Sequence, residues 1–291
     1  MNANLLPQTL VIKEWLSDAT NQLSRAGITS ARLDTELILA NVLGKPRTYL
    51  HAHGDNLIDP ESQKSVNSKL SRRLKHEPIA YIIGYKDFYG RKFIVNKNTL
   101  IPRPESEDII DLLKVVAGKL IKNTTKIKVV DIGTGSGCLG ITAKLELPSA
   151  SVTLSDISDK ALVIADQNAK KLFANVDILK SDLLQEYQGR PNIIVANLPY
   201  VDLGWECSPE TDYEPRIALF AEKHGLGTIE YLIIQASKVL LDDNFLIIEA
   251  DPTQHASLIK FAKKYNFKNL QTKNYAVVLV KLRNSSTNTI E

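Results

Sequence analysis

The chain has 291 residues, with 36 Lys plus Arg against 33 Asp plus Glu, and the resulting net charge of +3 is too small over this length to mark a nucleic-acid-binding surface. A hydrophobic share of 44% suffices for a normal core, and the length favours two domains over one. Two cysteines, Cys138 and Cys207, make neither a disulfide framework nor a metal-ligand set, so a reducing compartment is expected. The first residues lack the basic region and apolar core of a secretory signal, and no apolar run approaches the roughly 20 residues of a membrane span. A soluble, cytoplasmic protein is expected.

Residues 8–75 read as helices. Ile12, Trp15, Leu16, Ala19 and Leu23 recur at helical spacing, and Gly27 stops the pattern. Ser30 is placed to cap a second helix with Leu33, Leu37 and Ala40 on its apolar face, ending near Leu43 and Gly44. Asp59-Pro60-Glu61 supplies an N-cap, a first-turn proline and a first-turn acid for a helix through Leu70 and Leu74 that ends before Pro78. Within it, the basic run Lys69 to Lys75 predicts a solvated face. Residues 79–95 are rich in aromatic and β-branched side chains, with Gly84 and Gly90 as punctuation, and predict a β-hairpin. Ile101-Pro-Arg-Pro-Glu105 forces an extended segment ahead of a helix at 106–120.

From residue 127 strands alternate with helices, which argues for a parallel sheet with crossover helices. Strands are expected at 127–132, 152–156, 177–180, 192–196 and 245–250, and helices at 138–146, 158–172 and 225–240. Two further strands, 270–273 and 275–282, follow one another without a helix, so the last should be antiparallel. The expected organisation is a helical domain at 1–76, a hairpin connector at 77–103, a catalytic domain at 104–285 and a polar tail at 286–291.

Three places carry chemistry. Val129-Val-Asp-Ile-Gly-Thr-Gly-Ser-Gly137 leaves a strand and opens a helix, with glycines at alternate positions that let a ligand approach the backbone. It has no Gly-Lys-Ser/Thr, and Asp131 at the strand end disfavours a phosphate. A cationic ligand free of phosphate, such as S-adenosylmethionine, fits better. Asp156 ends the next strand, where a carboxylate can accept both ribose hydroxyls or cap the following helix. Ser181-Asp182-Leu183 follows the third strand, beside the position expected for an adenine. The third place is Asn197-Leu198-Pro199-Tyr200, where proline ends the buried run Ile193 to Ala196. An Asn oxygen and a backbone carbonyl there suit a substrate that presents an NH2 group.

Together, Asp131 to Gly137, Asp156 and Asn197 to Tyr200 resemble the Rossmann-like S-adenosylmethionine-dependent methyltransferases that act on polar nitrogen. Thr99-Leu-Ile-Pro-Arg-Pro-Glu-Ser-Glu107, Tyr213-Glu-Pro-Arg-Ile-Ala-Leu219 with Gly225 and Gly227, Ala31 to Leu39 and Arg47 to Leu50 narrow the resemblance to the release factor glutamine methyltransferases. That family usually carries Asn-Pro-Pro-Tyr. Asn-Leu-Pro-Tyr is the form found in ribosomal RNA adenine dimethyltransferases, whose helical domain follows the catalytic one, whereas here the helical segment comes first. A non-catalytic binding module is disfavoured by the intact glycine loop, Asp156 and Asn197.

The resemblance implies a seven-stranded Rossmann-like domain behind a small helical one. It also implies methylation of the glutamine amide nitrogen in the Gly-Gly-Gln motif of class I peptide-chain release factors, with no direct nucleic-acid or membrane partner. Gly133, Thr134, Gly135, Ser136 and Gly137 would line the methionine end of the cofactor, Asp156 would take the ribose and Leu183 would pack near the adenine, with Asn197 also beside the cofactor. Asn197 and the carbonyl of Leu198 would hold the substrate amide, Pro199 would shape the corner and Tyr200 would pack over the amide. Arg103 and Glu105 would stand at the mouth of the site without an assigned role. No base is evident beside Asn197, so catalysis is expected to rest on positioning.

Overall fold

The computed structural model describes residues 10–121 and 126–283. The polar tail expected at 286–291 lies outside them. The chain divides into two compact units. One holds the residues up to Tyr85 together with Ser208–Tyr213, and the other holds Lys86–Cys207 and the residues from Glu214 onward.

The first unit is helical, with α1 (Ile12–Arg25), α2 (Ala31–Leu43), α3 (Arg47–Ala52), α4 (Pro60–Arg73) and α5 (Ile79–Ile83). The α1 stripe Ile12, Trp15, Leu16, Ala19 and Leu23 is buried as its spacing predicts, and the chain leaves α1 through Gly27 at φ +79°. Asp59 caps α4, its side chain accepting the Ser62 N–H at 2.9 Å. The α2 face differs from expectation. Ile38 and Leu39 are fully buried, whereas Leu33 is 43% exposed. Periodicity of apolar residues misleads here because α2 also buries Asp34, Thr35 and Glu36. Ion pairs make that burial tolerable: Arg73 reaches Asp34 at 2.7 Å and Glu210 at 2.6 Å, and Arg47 and Arg32 each reach Glu36 at 2.6 Å. Ser30 likewise gives its hydroxyl to Asp34 at 2.7 Å instead of capping α2.

The basic run on α4 is not a solvated face. Arg73 is buried, Arg72 pairs with Glu77 at 2.5 Å, and the Lys69 ammonium donates to the Ile82 carbonyl at 2.6 Å. The hairpin expected from residue 79 begins later. Ile79–Ile83 is a turn of helix closed by Gly84 at φ +83°, with Ile82 in the core of the helical unit. The hairpin is β1 (Tyr85–Phe88) and β2 (Arg91–Ile94). Tyr89 and Gly90 at φ +48° and +73° form its two-residue turn, matching the twist of the strands.

The second unit starts with that hairpin, whose Phe88 and Phe93 stack edge to face, 6.1 Å between ring centroids, in its core. Helix α6 (Glu107–Leu120) leads into β3 (Lys128–Ile132), α7 (Cys138–Glu146), β4 (Ser151–Asp156), α8 (Asp159–Lys171), β5 (Asp177–Lys180) and β6 (Ile193–Ala196). Two-residue strands β7 (Val201–Asp202) and β8 (Phe220–Ala221) flank the short α9 (Arg216–Leu219). Then come α10 (Gly227–Val239), β9 (Phe245–Glu249), α11 (His255–Lys263), β10 (Phe267–Lys273) and β11 (Ala276–Lys281). Helix α11 was not expected, although Asp251 and Gln254 form a capping box ahead of it.

Seven strands make one sheet in the order β10-β11-β9-β6-β3-β4-β5. Its central pairs are parallel, and β11 runs antiparallel to both β9 and β10. Alternate residues feed two cores. Val129, Ile193, Val195 and Ile247 face the layer of α6, α7 and α8, while Val130, Ile132, Ile194 and Ile248 face that of α10 and α11. From β3 the chain moves outward to β4 and β5, then returns to place β6 on the other side of β3. That reversal opens a crevice at the carboxyl ends of β3 and β6, where open α/β sheets take their ligands.

Candidate active site

A cavity of about 490 Å³ occupies this crevice. Gly133, Thr134, Gly135, Ser136, Asp156, Leu183, Asn197, Leu198 and Pro199 all line it, as do Ser106 and the segment Lys97–Leu100. Gly137 and Tyr200 are not among its lining residues.

The glycine loop is held from below. The Asp131 Oδ2 accepts the Thr134 hydroxyl at 2.5 Å and the Gly140 N–H at 2.8 Å, which pins both the loop and the first turn of α7. Its Oδ1 is buried without a partner. Burial pushes this carboxyl up to about 6, against those two hydrogen bonds and with the charge of Asp156 adding to the rise. The backbone at Gly133 is left-handed, φ +68°, and a Cβ there would meet the Leu198 Cδ2 at 2.7 Å. The first glycine and the Asn197–Tyr200 corner are thus in direct packing contact. A buried amide completes the support: Asn168 Nδ2 donates to the Ser136 carbonyl at 2.8 Å and to the Ile94 carbonyl at 2.9 Å, while its Oδ1 accepts the Ile94 N–H at 2.7 Å. An amide in the middle of a helix offers no sequence signal for such a role.

Asp156 accepts the Gly135 N–H and the Ser158 N–H, each at 2.9 Å, one on each carboxylate oxygen. Each oxygen keeps a further lone pair. Helix α8 is capped by Ser158, which accepts the Ala161 N–H at 3.3 Å. Leu183 adopts φ +53°, a strained conformation for a non-glycine residue, at the cavity wall.

At the corner after β6, the Asn197 Nδ2 donates to the Ser106 hydroxyl at 2.9 Å. The carbonyl of Tyr200 accepts the Gln254 Nε2 at 2.8 Å, and the same amide serves the His224 carbonyl. Gly225, at φ +83°, leaves room for this crossing, since a Cβ there would lie 1.9 Å from the Tyr200 oxygen. The Tyr200 hydroxyl donates to Glu249 at 3.1 Å. Burial and the neighbouring Glu249 charge both raise its pKa. Arg103 pairs with Glu214 at 2.5 Å, and the other oxygen of Glu214 accepts the Ile101 N–H at 3.0 Å, so the Glu-Pro block ties down the segment ahead of α6.

Ser106 and Glu249 were not singled out in the sequence. Glu249 had a signal, because it ends an apolar strand as Asp131 and Asp156 do, but no glycine loop or proline stands beside it. Among the described residues, no group of three or more His, Cys, Asp or Glu is placed to hold a metal ion, and no helix is long and apolar enough to cross a membrane.

The sheet order, the glycine loop after β3 and the acid after β4 define a Rossmann-like methyltransferase. Two solved structures share that fold: a methyltransferase from Pyrococcus furiosus (TM-score 0.50, 15% identity, 77% of this chain and 100% of that one) and the human Mettl16 catalytic domain in complex with a MAT2A hairpin (TM-score 0.51, 13% identity, 79% and 85%). Residues 14–84 match the PrmC N-terminal domain, and residues 106–206 match the methyltransferase small domain. The chain is 35% identical over 256 residues to a release factor glutamine methyltransferase of Koribacter versatilis, covering 84% of this chain and 89% of that one. It is 36% identical over 247 residues to another from Leptospira interrogans, covering 81% and 84%. A bifunctional methyltransferase of Rickettsia conorii is 37% identical over 263 residues, and there the chain spans about half of the relative's length. The chain belongs to the release factor glutamine methyltransferase family.

Proposed function

We propose that the protein transfers a methyl group from S-adenosylmethionine to the side-chain amide nitrogen of the glutamine in the Gly-Gly-Gln motif of class I release factors, in the cytoplasm. The observation that carries this reading is the Asn197 amide. Its nitrogen is engaged by Ser106, which leaves its oxygen as an acceptor at the wall of the cavity that the glycine loop also lines. The cavity suits the cofactor on its own evidence. Its carboxylate Asp156 retains accepting capacity, and a second buried carboxylate, Asp131, supports the loop, an electrostatic setting that favours a cation over a phosphate.

In this reading Gly133 to Ser136 hold the methionine end, Asp156 the ribose and Leu183 the adenine side. The cofactor supplies an electrophilic methyl on a sulfonium. An amide nitrogen is a weak nucleophile because its lone pair is delocalised into the carbonyl, and no side-chain base can deprotonate it in advance. What the chain contributes is aim: the Asn197 oxygen and the Leu198 carbonyl each accept one amide N–H. These acceptors also favour the positive charge that builds on nitrogen, until one N–H proton is lost to solvent. Selection of one glutamine in one protein needs contacts away from the amide, and the helical unit is proposed to supply them.

Mass spectrometry of a purified class I release factor incubated with the protein and cofactor should show one added methyl on the Gly-Gly-Gln glutamine. Asn197→Ala should lower that rate by about 10²–10³-fold, the usual loss of one aligned polar group at a reacting centre. Cofactor binding without methylation of the glutamine, or methylation of adenine in RNA instead, would overturn the proposal.

A further inference from the structure

A primary amide is symmetric in shape but not in chemistry, so something must dictate which end of Asn197 faces the cavity. Glu249 ends β9, the strand beside β6, and is almost wholly buried. Its Oε1 accepts the Tyr200 hydroxyl, while its Oε2 is buried with no hydrogen-bond partner. Ser106, itself buried, stands beside this acid and favours its charged form, as do Tyr200 and Asn197. A carboxylate can only accept, and a serine hydroxyl has one hydrogen to give. If that hydrogen goes to Glu249, the Ser106 oxygen can only accept from Asn197, and Asn197 must turn its NH2 toward Ser106 and its oxygen toward the cavity. The reversed amide would take the Ser106 hydrogen for itself and turn away the NH2, withdrawing both groups that favour the charge of the buried Glu249.

We propose that Glu249 is a positioning residue that, through Ser106, fixes the Asn197 amide with its oxygen presented to the substrate. The inference rests on the functional reading above for what the substrate is, but not for the orientation itself. Burial raises the Glu249 pKa, so its negative charge, and with it the orientation, is present at higher pH and lost as pH falls through that raised value. The other titratable or charged groups around it are Glu105 ahead of α6, Tyr200 after β6, Cys138 at the start of α7, and Arg103 and Tyr275, which act on Tyr200.

The test uses the full chain and reads orientation and turnover separately. Nitrogen-15 NMR of the Asn197 side-chain amide, assigned with Asn197→Asp, should show a resonance pair that moves with pH in the wild type. The pair should be shifted and pH-insensitive in Glu249→Gln, whose amide can both donate and accept. The same variant should lower kcat on intact release factor by about 10²-fold, the scale of a misaimed reacting group. Its cofactor affinity should stay within about twofold, since Glu249 is not in the cofactor cradle. The acid limb of the wild-type rate profile should disappear. Ser106→Ala, which leaves the acid in place, should shift the same resonances and cost a similar factor, and the double variant should be no worse than either alone. Unchanged Asn197 resonances in Glu249→Gln and Ser106→Ala would overturn the proposal whatever the activities. Shifted resonances in a protein that never methylates release factor would sustain it and sink the functional reading instead.

Discussion

At the residue scale, three acids stand at the carboxyl ends of β3, β4 and β9 and do three different things. Asp156 can be tested by cofactor titration. Asp156→Ala should weaken S-adenosylmethionine binding by about 1.5–3 kcal/mol, the scale for a hydrogen bond to a charged group, and it also frees the Gly135 N–H that Asp156 now holds. Asp131 belongs to stability. With its folded pKa at about 6, above the ordinary carboxylate range, its charge penalises the folded state above that pH, and the penalty is lifted as pH falls toward 4. Relative to Asp131→Asn, the wild type should therefore gain on the order of 2–3 kcal/mol between pH 7.5 and pH 4 in denaturant titrations. A difference that stays constant with pH would show that folding leaves the Asp131 pKa unshifted. Asp131, Asp156 and Asn197 were legible in the sequence because each interrupts an apolar run beside a glycine, serine or proline that betrays a turn. Glu249, at the end of just such a run, lacked that second mark, and Ser106 looked like any polar residue at a helix start.

At the scale of elements, the parallel sheet was the most readable part of the chain. Buried runs such as Ile193 to Ala196 have one structural solution, and the expected strands and helices from residue 127 to 250 match the observed ones to within two residues at each end. The N-terminal part was less readable for two physical reasons. Helix α2 buries charges that ion pairs neutralise, which breaks the link between apolarity and burial. Ile79–Ile83 has strand-like composition, yet one helical turn with Gly84 as its left-handed cap buries Ile82 in the core. Tertiary packing outranks propensity over five residues. The corner at Tyr200 is an element-level feature whose parts lie far apart in the chain. Gly225→Ala would add a methyl 1.9 Å from the Tyr200 carbonyl and 2.5 Å from the Gln254 amide, at a φ that disfavours any side chain. It should cost about 1–3 kcal/mol or more in thermal or denaturant unfolding, with methyl transfer reduced well beyond the loss of folded protein. Full activity in that variant would mean the corner need not be rigid.

At the scale of the whole molecule, the two units invite separation. The expected cut at Glu77 would split the helical unit, because α5 belongs to it. Lys86 is the better start. A chain beginning there should keep its circular dichroism and cofactor affinity, yet methylate intact release factor at least about tenfold more slowly, since remote contacts hold the reacting centre in place. Activity on a short Gly-Gly-Gln peptide should change much less. A folded truncation that works on intact release factor at the full-length rate would eliminate a recognition role for the helical unit.

That unit is also discontinuous. Arg73 is buried in it with Asp34 on one side and Glu210 on the other, and Glu210 lies 137 residues further along. During synthesis the five helices leave the ribosome early, but the buried Arg73 then has only one of its two carboxylate partners. At 5–20 residues per second the missing acid arrives roughly 7–27 s later. For that interval the helical unit stands ionically incomplete, and it closes only after β3 to β6 of the methyltransferase sheet have been made. The order of synthesis therefore makes the last-arriving piece of the first unit a report that the central strands of the second have already emerged.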